Sequence, residues 1–241
     1  MRPSYGIDAA PVIRNLTIIG IVLLILSAAA YAASGVFQYI FPTLMWTGIF
    51  LVISAVLMLL YALFGKFHHR ERMLKMIDWK GDEQVLDVGT GRGLLMIGAA
   101  KLLDTGHAYG IDIFKASDLS GNNIENTRKN MELEGVASRT EVRNEDAREM
   151  TFADEKFDVI LSNLCLHNIP DDEGRAKACR EIARVLKPGG IALISDFQKT
   201  KKYAATFREA GLAVEVYGPY LFSTYPPLRI VKAQRPKPTA P

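Results

Sequence analysis

Hydrophobic and polar positions divide the chain into two unlike parts. Two long apolar stretches, about 12–34 and 44–64, come first, and no charged residue or histidine occurs between Asn15 and Gly65. A helix rises about 1.5 Å per residue, so each stretch is long enough to cross a hydrocarbon core of about 30 Å. The pattern predicts a two-helix transmembrane hairpin within residues 1–67. A cleaved signal peptide and a buried core hairpin are the alternatives.

Positive charges predict how the hairpin is oriented. Arg2 and Arg14 flank the first stretch, whereas the connection 35–43 carries no positive charge. Basic residues also follow the second stretch, at Lys66, Arg70, Arg72 and Lys75. The positive-inside rule therefore places both ends of the hairpin, and everything after it, in the cytoplasm.

Residues 68–234 have the pattern of a globular domain in which short apolar runs alternate with amphipathic stretches. The runs predict strands at 85–89, 108–112, 140–143, 157–162, 191–195, 213–217 and 228–232. The amphipathic stretches predict helices at 70–79, 94–103, 123–134, 172–186 and 201–210. Such alternation predicts an α/β fold with a parallel sheet, and the last two strands should pair as an antiparallel hairpin. A turn is expected at Pro188-Gly189-Gly190, and 235–241 should be a disordered tail.

Glycine occupies every second position directly after the first predicted strand. Val85-Leu86-Asp87-Val88 leads into Gly89-Thr90-Gly91-Arg92-Gly93, and a helix-compatible run begins at Leu94. Glycine permits a sharp turn and close approach of a ligand, and a helix start offers unpaired N–H groups. Dinucleotide dehydrogenases use a different spacing, G-x-G-x-x-G, and the acid Asp87 suits a cationic ligand better than a pyrophosphate. The alternative is a turn that only closes a strand–helix corner.

This stretch resembles the first motif of class I S-adenosylmethionine (SAM) dependent methyltransferases. Two later stretches, Phe157–Asn163 and Val185–Gly190, resemble the family's fourth-strand motif and its "L-K-P-G-G" turn. The resemblance spans about residues 70–232 and leaves the hairpin outside it. It implies a Rossmann-like, mostly parallel seven-stranded sheet with helices on both faces, and SAM as the cofactor.

The resemblance also implies where the cofactor binds. The turn residues Gly89, Thr90, Gly91 and Gly93 are expected to hold it, and Asp87 is expected to orient the turn or the ammonium group of the ligand.

Three residues at the ends of later strands complete the expected cofactor site. Asp112 ends the second strand, where a carboxylate can accept hydrogen bonds from both hydroxyls of a ribose, or cap the following turn. The resemblance assigns the adenine amine to Asp146, although Asp146 also suits a helix N-cap and Glu145 is its nearest rival. Asn163 is expected to line the pocket that holds the methyl group.

His167 is the candidate catalytic residue. An imidazole at the lip of this pocket can take a proton from an acceptor hydroxyl or amine, and the alternative is a packing or capping role. Methyl transfer from a sulfonium depends mainly on alignment and on exclusion of water, so a general base is optional. The segment Phe114–Asn122 is longer than the usual family connection and lies near the expected substrate entrance.

Composition restricts the partners. The net charge of +3 is too small to indicate nucleic acid. Asn163-Leu164-Cys165-Leu166 also lacks the Asn/Asp-Pro-Pro-aromatic tetrad of the family's nucleic-acid branch. Cys165 and Cys179 fit neither a disulfide framework nor a metal site, so no metal is expected. The aromatic connection 218–227 suits the membrane surface, an acceptor lip, or packing on the sheet edge.

The sequence thus predicts an integral membrane protein that methylates a small or lipid-like acceptor at the cytoplasmic face of the bilayer. One alternative is a methyltransferase of a soluble small molecule or protein, with the hairpin as an anchor only. Another is a membrane sensor that binds SAM without catalysis. A nicotinamide oxidoreductase is disfavoured by the glycine spacing.

Overall fold

The computed structural model describes residues 2–33 and 35–237, and its first two helices are the predicted apolar stretches. Helix α1 comprises Ala10–Ala32 and helix α2 comprises Phe41–Leu60. Both are long and apolar enough to cross a membrane. In the most apolar stretch of each helix, only 11% of the residues of α1 and 28% of those of the second helix are buried. Neither helix is therefore buried like the core of a domain.

The two helices approach each other closely at a pair of glycines. A Cβ atom built on Gly48 would lie 2.9 Å from the carbonyl oxygen of Gly20, and one on Gly20 would lie 3.1 Å from that of Gly48. Farther along, the hydroxyl of Ser27 donates to the Phe41 carbonyl. Close approach through small residues is typical of helices that pack within membranes.

The second helix continues past its apolar stretch into the globular domain. A π-helical turn, Tyr61–Gly65, joins α2 to α3 (Lys66–Leu74), so the helical path is unbroken from Phe41 to Leu74. The sequence predicted a separate helix at 70–79, and this boundary was wrong. Neither proline nor a capping side chain interrupts the backbone bonding between the two segments.

Seven strands form one sheet. They are β1 (Gln84–Val88), β2 (His107–Asp112), β3 (Thr140–Asn144), β4 (Phe157–Asn163), β5 (Leu186–Asp196), β6 (Ala213–Tyr217) and β7 (Arg229–Gln234). Their order is β3-β2-β1-β4-β5-β7-β6, and β7 is antiparallel to both of its neighbours. The predicted Rossmann-like, mostly parallel seven-stranded sheet with a terminal hairpin is therefore confirmed.

Helices cover both faces of this sheet. The remaining ones are α4 (Leu94–Ala100), α5 (Ile124–Leu133), α6 (Asp172–Val185) and α7 (Thr200–Glu209). One buried cluster joins the sheet to α6 and α7, through Ile182 and Phe207 among others. A second cluster joins the other face to α3, α4 and α5, and α3 contributes the fully buried Met73. The helix that leaves the apolar hairpin is therefore part of the domain core.

The predicted turn at Pro188–Gly190 lies inside β5. Its register on β4 jumps from Phe157 opposite Leu186 to Val159 opposite Ile191, which marks a bulge. The bulge is held from the far end of the chain, because Gly189 N–H donates to the Arg235 carbonyl and Arg235 N–H donates to Gly190. Order thus extends into the tail that was predicted to be disordered. Residues 238–241 of that tail lie outside the described residues.

Candidate functional site

A cavity of about 370 Å³ lies where the carboxyl ends of β1, β2 and β4 meet. The strand order changes direction there, since β2 and β3 lie on one side of β1 and β4 on the other. Ligands of open α/β sheets bind at such a switch point. Seven predicted cofactor residues line this cavity: Asp87, Gly89, Thr90, Gly91, Asp112, Asp146 and Asn163. Gly93 and His167 are not among its lining residues.

The glycine turn is shaped by close contacts behind it. The N–H groups of Gly89 and Thr90 both donate to the carbonyl of Ile111, at 2.8 and 3.0 Å, which ties the turn to β2. Gly89 has a φ of +73°, and a Cβ built there would overlap the side chain of Cys165. Gly93, with a φ of +85°, begins α4. The turn can therefore be built only with a residue that lacks a side chain at Gly89.

Asp87 presents one oxygen that has no hydrogen-bond partner among the described residues. Its Oδ2 accepts from the Thr90 hydroxyl at 2.8 Å and from the Met96 N–H at 2.9 Å, whereas the buried Oδ1 accepts nothing. Burial raises the pKa of this carboxyl to about 7, against the lowering effect of those two hydrogen bonds. An unpaired carboxylate oxygen on the wall of a cavity suits a cationic ligand group, as the ammonium of SAM would supply.

We expect cofactor affinity to rise with pH because of Asp87. With a pKa of about 7, its ionised fraction grows from about one tenth at pH 6 to about nine tenths at pH 8. Only the ionised form pairs with an ammonium group, so affinity should increase several-fold over this range. The folding stability of the unbound protein has the opposite pH dependence. The raised pKa of Asp87 makes a contribution to stability that is fully present below about pH 4 and is lost as pH rises through about 7.

Calorimetric titration with SAM between pH 6 and 8 checks this expectation, with Asp87→Asn as the control. The variant should show a flatter profile, because its amide does not ionise. Equal pH dependence in both proteins would show that another group governs binding.

Asp112 organises the turn as well as the cavity wall. Its Oδ2 accepts from the Gly91 N–H at 2.8 Å, and its Oδ1 accepts from the Phe114 N–H at 2.6 Å and from the Asn122 amide at 3.4 Å. Burial raises the pKa of this carboxyl. A carboxylate has about four lone-pair positions, so capacity remains for the hydroxyls of a ribose. The predicted ribose contact and the alternative turn cap are therefore compatible.

Asp146 lies on the cavity wall in an ion pair. The guanidinium of Arg148 donates to both of its oxygens, at 2.6 to 3.1 Å, and holds the pKa of the carboxyl below its usual range. The Asp146 side chain also accepts from the Arg148 N–H, which is the turn-capping alternative. Its rival Glu145 lines the cavity too and accepts from the Thr151 N–H. An adenine amine at Asp146 would share the carboxylate with Arg148.

Asn163 connects the cavity to the helix that leaves the hairpin. Its amide nitrogen donates to the Tyr61 hydroxyl at 3.4 Å, and its buried Oδ1 has no partner among the described residues. This unpaired oxygen is a second acceptor that a bound ligand is able to satisfy.

His167 is held beside the cavity by a buried carboxylate. Its Nδ1 lies 2.9 Å from Oδ1 of Asp196, which is 1% exposed, and its backbone N–H also donates to Asp196. The Tyr203 hydroxyl donates to the same carboxylate at 3.3 Å. A proton on Nδ1 would leave Nε2 as the acceptor nitrogen. The catalytic role of His167 stays a prediction.

A segment before the first apolar helix covers one side of the cavity. We call residues 4–9 the strap. Its backbone pairs with the long connection Phe114–Asn122, which we call the insertion. Ser120 N–H donates to the Ile7 carbonyl at 3.1 Å, and Ala9 N–H donates to the Asp118 carbonyl at 3.0 Å. Tyr5 and Asp8 of the strap line the cavity, as does Leu119 of the insertion.

Lys66 fastens the strap from the other side. Its ammonium, 4% exposed, donates to the carbonyls of Tyr5 and Gly6 at 2.8 and 2.6 Å and to Asp8 at 3.2 Å. Lys66 lies on α3 and lines the cavity itself. The strap therefore joins the start of α1 to the end of the second apolar helix across the cavity.

Sequence reasoning missed the strap and its lysine. Tyr5, Asp8 and Lys66 look like charges and aromatics that flank membrane spans, and no local pattern indicates a cavity wall. It did single out 114–122, which contributes Lys115, Asp118, Leu119 and Asn122 to the lining. Both cysteines are free thiols, as predicted.

Comparisons with known proteins agree with this geometry. A family model described as "Methyltransferase domain" matches residues 79–216. An uncharacterized protein of Haemophilus influenzae is 32% identical over 139 residues, which cover 55% of this chain and 52% of that protein. The ubiquinone/menaquinone biosynthesis C-methyltransferase UbiE of Vibrio campbellii is 32% identical over 118 residues, which cover 48% of this chain and 42% of that protein. The matched part of the chain thus spans about half the length of these curated relatives.

Solved structures agree on the fold. A SAM-dependent methyltransferase from Aquifex aeolicus superposes with a TM-score of 0.54 at 21% identity, over 68% of this chain and 88% of that one.

Proposed function

Because this chain belongs to the methyltransferase-domain family, we propose that it transfers a methyl group from SAM to a lipid-like acceptor that enters the cavity from the bilayer. SAM is the cofactor that family membership implies. The unpaired oxygens of Asp87 and Asn163 and the acidic cavity wall fit such a cationic ligand.

One observation carries the choice of acceptor: the two apolar helices meet the domain at the cavity itself. Asp8 lines the cavity two residues before α1 begins. Tyr61, the first residue after α2, bonds Asn163 on the cavity wall, and Lys66 lines the cavity one turn later. The hairpin would therefore hold an acceptor dissolved among lipids next to the cavity.

The comparison with a relative narrows the acceptor class. The Vibrio protein is named for ubiquinone and menaquinone biosynthesis, which supports a quinone precursor or another prenyl lipid. The positive-inside rule supports a cytoplasmic position for the domain, since Arg2, Arg14 and Lys66 lie at one end of the hairpin and the connection 35–43 carries no charge.

The residues of the chain supply orientation and a dry site. When bound, SAM provides a methyl group on a positively charged sulfur. The turn Gly89–Gly91 and Asp112 would position the nucleoside part, and Asp87 would hold the ammonium group. The strap and Lys66 limit access of water on the side nearest the hairpin. Alignment and exclusion of water are the main requirements for an in-line methyl transfer.

Label transfer from methyl-labelled SAM tests the proposal. The full chain, reconstituted in liposomes, is incubated with a membrane lipid extract and separately with soluble metabolites, and products are partitioned into organic solvent. Label in the organic phase, absent with Asp112→Ala, would support a lipid acceptor. Label in the aqueous phase alone would favour a soluble acceptor. No label, with SAM still bound, would favour a sensor.

His167 is proposed as the general base, and its replacement separates catalysis from binding. We expect His167→Ala to lower the transfer rate about 10²–10⁴-fold, the usual contribution of a positioned base. SAM affinity should not change, because the hydrogen bonds of His167 go to Asp196 and to no residue that is expected to hold SAM. His68→Ala is the control, since that imidazole is exposed and bonds only the Phe64 carbonyl among the described residues. A full rate in the His167 variant would leave it a packing role beside Asp196.

A further inference from the structure

The loop Gly218–Pro227 lies at the same end of the sheet as the cavity, where the parallel strands have their carboxyl ends. The loop begins where β6 ends, and β6 runs in the same direction as β5. Its tip carries two large apolar side chains, Leu221 and Phe222, which are 60% and 103% exposed. Neither packs on the sheet edge, one of the places suggested for this loop by its sequence.

Hydrogen bonds inside the loop hold this tip in place. The buried Thr224 hydroxyl donates to the Tyr220 carbonyl at 2.8 Å and accepts from the Leu228 N–H at 2.9 Å. The Tyr220 N–H also donates to the Leu228 carbonyl at 2.9 Å. The exposed side chains are thus presented by a braced loop.

The loop is attached to the apolar hairpin. The Tyr225 hydroxyl donates to Oγ of Ser54 at 2.9 Å. Ser54 lies six residues before the end of α2, which corresponds to about 9 Å along the helix axis. If α2 spans a bilayer and leaves the hydrocarbon at its last residue, the Tyr225 hydroxyl therefore lies inside the hydrocarbon.

A second attachment lies beyond the end of the span, on the part of the same helix that belongs to the domain. Arg72 donates to the Ser223 hydroxyl at 3.0 Å, and its guanidinium lies 4.2 Å from the centre of the Tyr220 ring. Gly65 also lies against Ser223, since a Cβ built on it would be 3.2 Å from that residue's carbonyl oxygen. Phe64, next to Gly65, is 62% exposed like the loop tip.

We propose that this loop is a third membrane contact, in which Leu221 and Phe222 insert among the lipids beside α2. The proposal rests on the membrane hairpin of the proposed function. Apolar side chains gain by leaving water, and tyrosines at the loop base suit the membrane–water interface. With α1 and α2 spanning the bilayer and this loop in the leaflet nearest the domain, the end of the sheet that holds the cavity faces the lipid.

Fluorescence quenching by nitroxide lipids tests this contact. The full chain is reconstituted in vesicles of phosphatidylcholine and phosphatidylglycerol, with nitroxide either near the headgroup or near the chain end. Phe222→Trp adds one indole, whose signal is the difference from the parent protein with Trp46 and Trp79. Leu221→Trp is a second variant, in case the first misfolds. Leu102→Trp is the control, because this exposed residue follows α4 at the opposite end of the sheet, away from the cavity.

We expect nitroxides near the headgroup to lower the difference signal of both loop variants at least about twofold, as an interfacial position requires. The Leu102→Trp signal should stay unquenched. Unquenched signals from the loop variants, in protein that is folded and still binds SAM, would overturn the proposal. That outcome leaves methyl transfer to lipid measurable on its own, so the two proposals fail separately.

Discussion

Asp112→Ala is expected to weaken SAM binding at least about 100-fold, because a charge-assisted hydrogen bond contributes about 1.5–3 kcal/mol and this carboxylate is placed to accept more than one. Part of the affinity is lost because the ribose hydroxyls of SAM would no longer have Asp112 as their acceptor. The rest comes from the protein, since the N–H groups of Gly91 and Phe114 would lose their acceptor. The glycine turn and the start of the insertion would then no longer be held in register.

The fold should survive this change. Burial raises the pKa of Asp112, which means that its ionised form is costly to bury, and removing it relieves that cost. Isothermal titration with SAM measures the affinity, and thermal unfolding checks the fold. Asp78→Ala, an exposed aspartate outside the cavity, is the control. An unchanged dissociation constant in the Asp112 variant would contradict the placement of the cofactor.

Lys66→Met should release the strap from the cavity wall. The substitution keeps the length of the side chain but leaves the carbonyls of Tyr5 and Gly6 and the carboxylate of Asp8 without their donor. A buried acceptor left unpaired costs about 1–3 kcal/mol, so the strap should detach rather than stay in place unpaired. We expect SAM affinity to fall about tenfold, since water would then reach the ligand.

Hydrogen exchange of residues 4–9 reports strap detachment directly, and titration with SAM reports its effect on binding. Lys177→Met is the matched control. Its ion pair with Glu149 is at the surface, with Lys177 47% exposed, and such pairs contribute about 0–1 kcal/mol. Unchanged protection of the strap in the Lys66 variant would show that its other contacts hold it without Lys66, namely the pairing with Asp118 and Ser120 and the hydrogen bonds to Asn130 and Glu134.

The sheet was predictable because its information is local. The run Val85–Val88, the glycines after it and the acid that ends β2 each follow from spacing within a few residues. Placing them together needed only the rule that parallel strands end at one edge. Gly93 has the correct spacing but serves to begin α4, where a Cβ would lie 2.9 Å from Ile97.

Other features depend on partners that are distant in the sequence. The strap is held through backbone groups of Ile7 and Ala9, which any side chain permits, and through distant side chains, among them Lys66, nearly sixty residues away. Pro188–Gly190 has the composition of a turn, yet pairing with Arg235 makes it part of β5. No spacing rule within either segment reveals such a partner.

A fragment cut at residue 68 would carry an open-sided cavity. Tyr5, Asp8 and Lys66 lie on the hairpin side of the cut, and Met73 of the same continuous helix packs in the core of the domain. Replacing the hairpin by an unrelated pair of apolar helices would remove the same wall. Hairpin and domain are therefore not interchangeable modules, and chimaeras should exchange residues 2–74 together with the insertion that meets the strap.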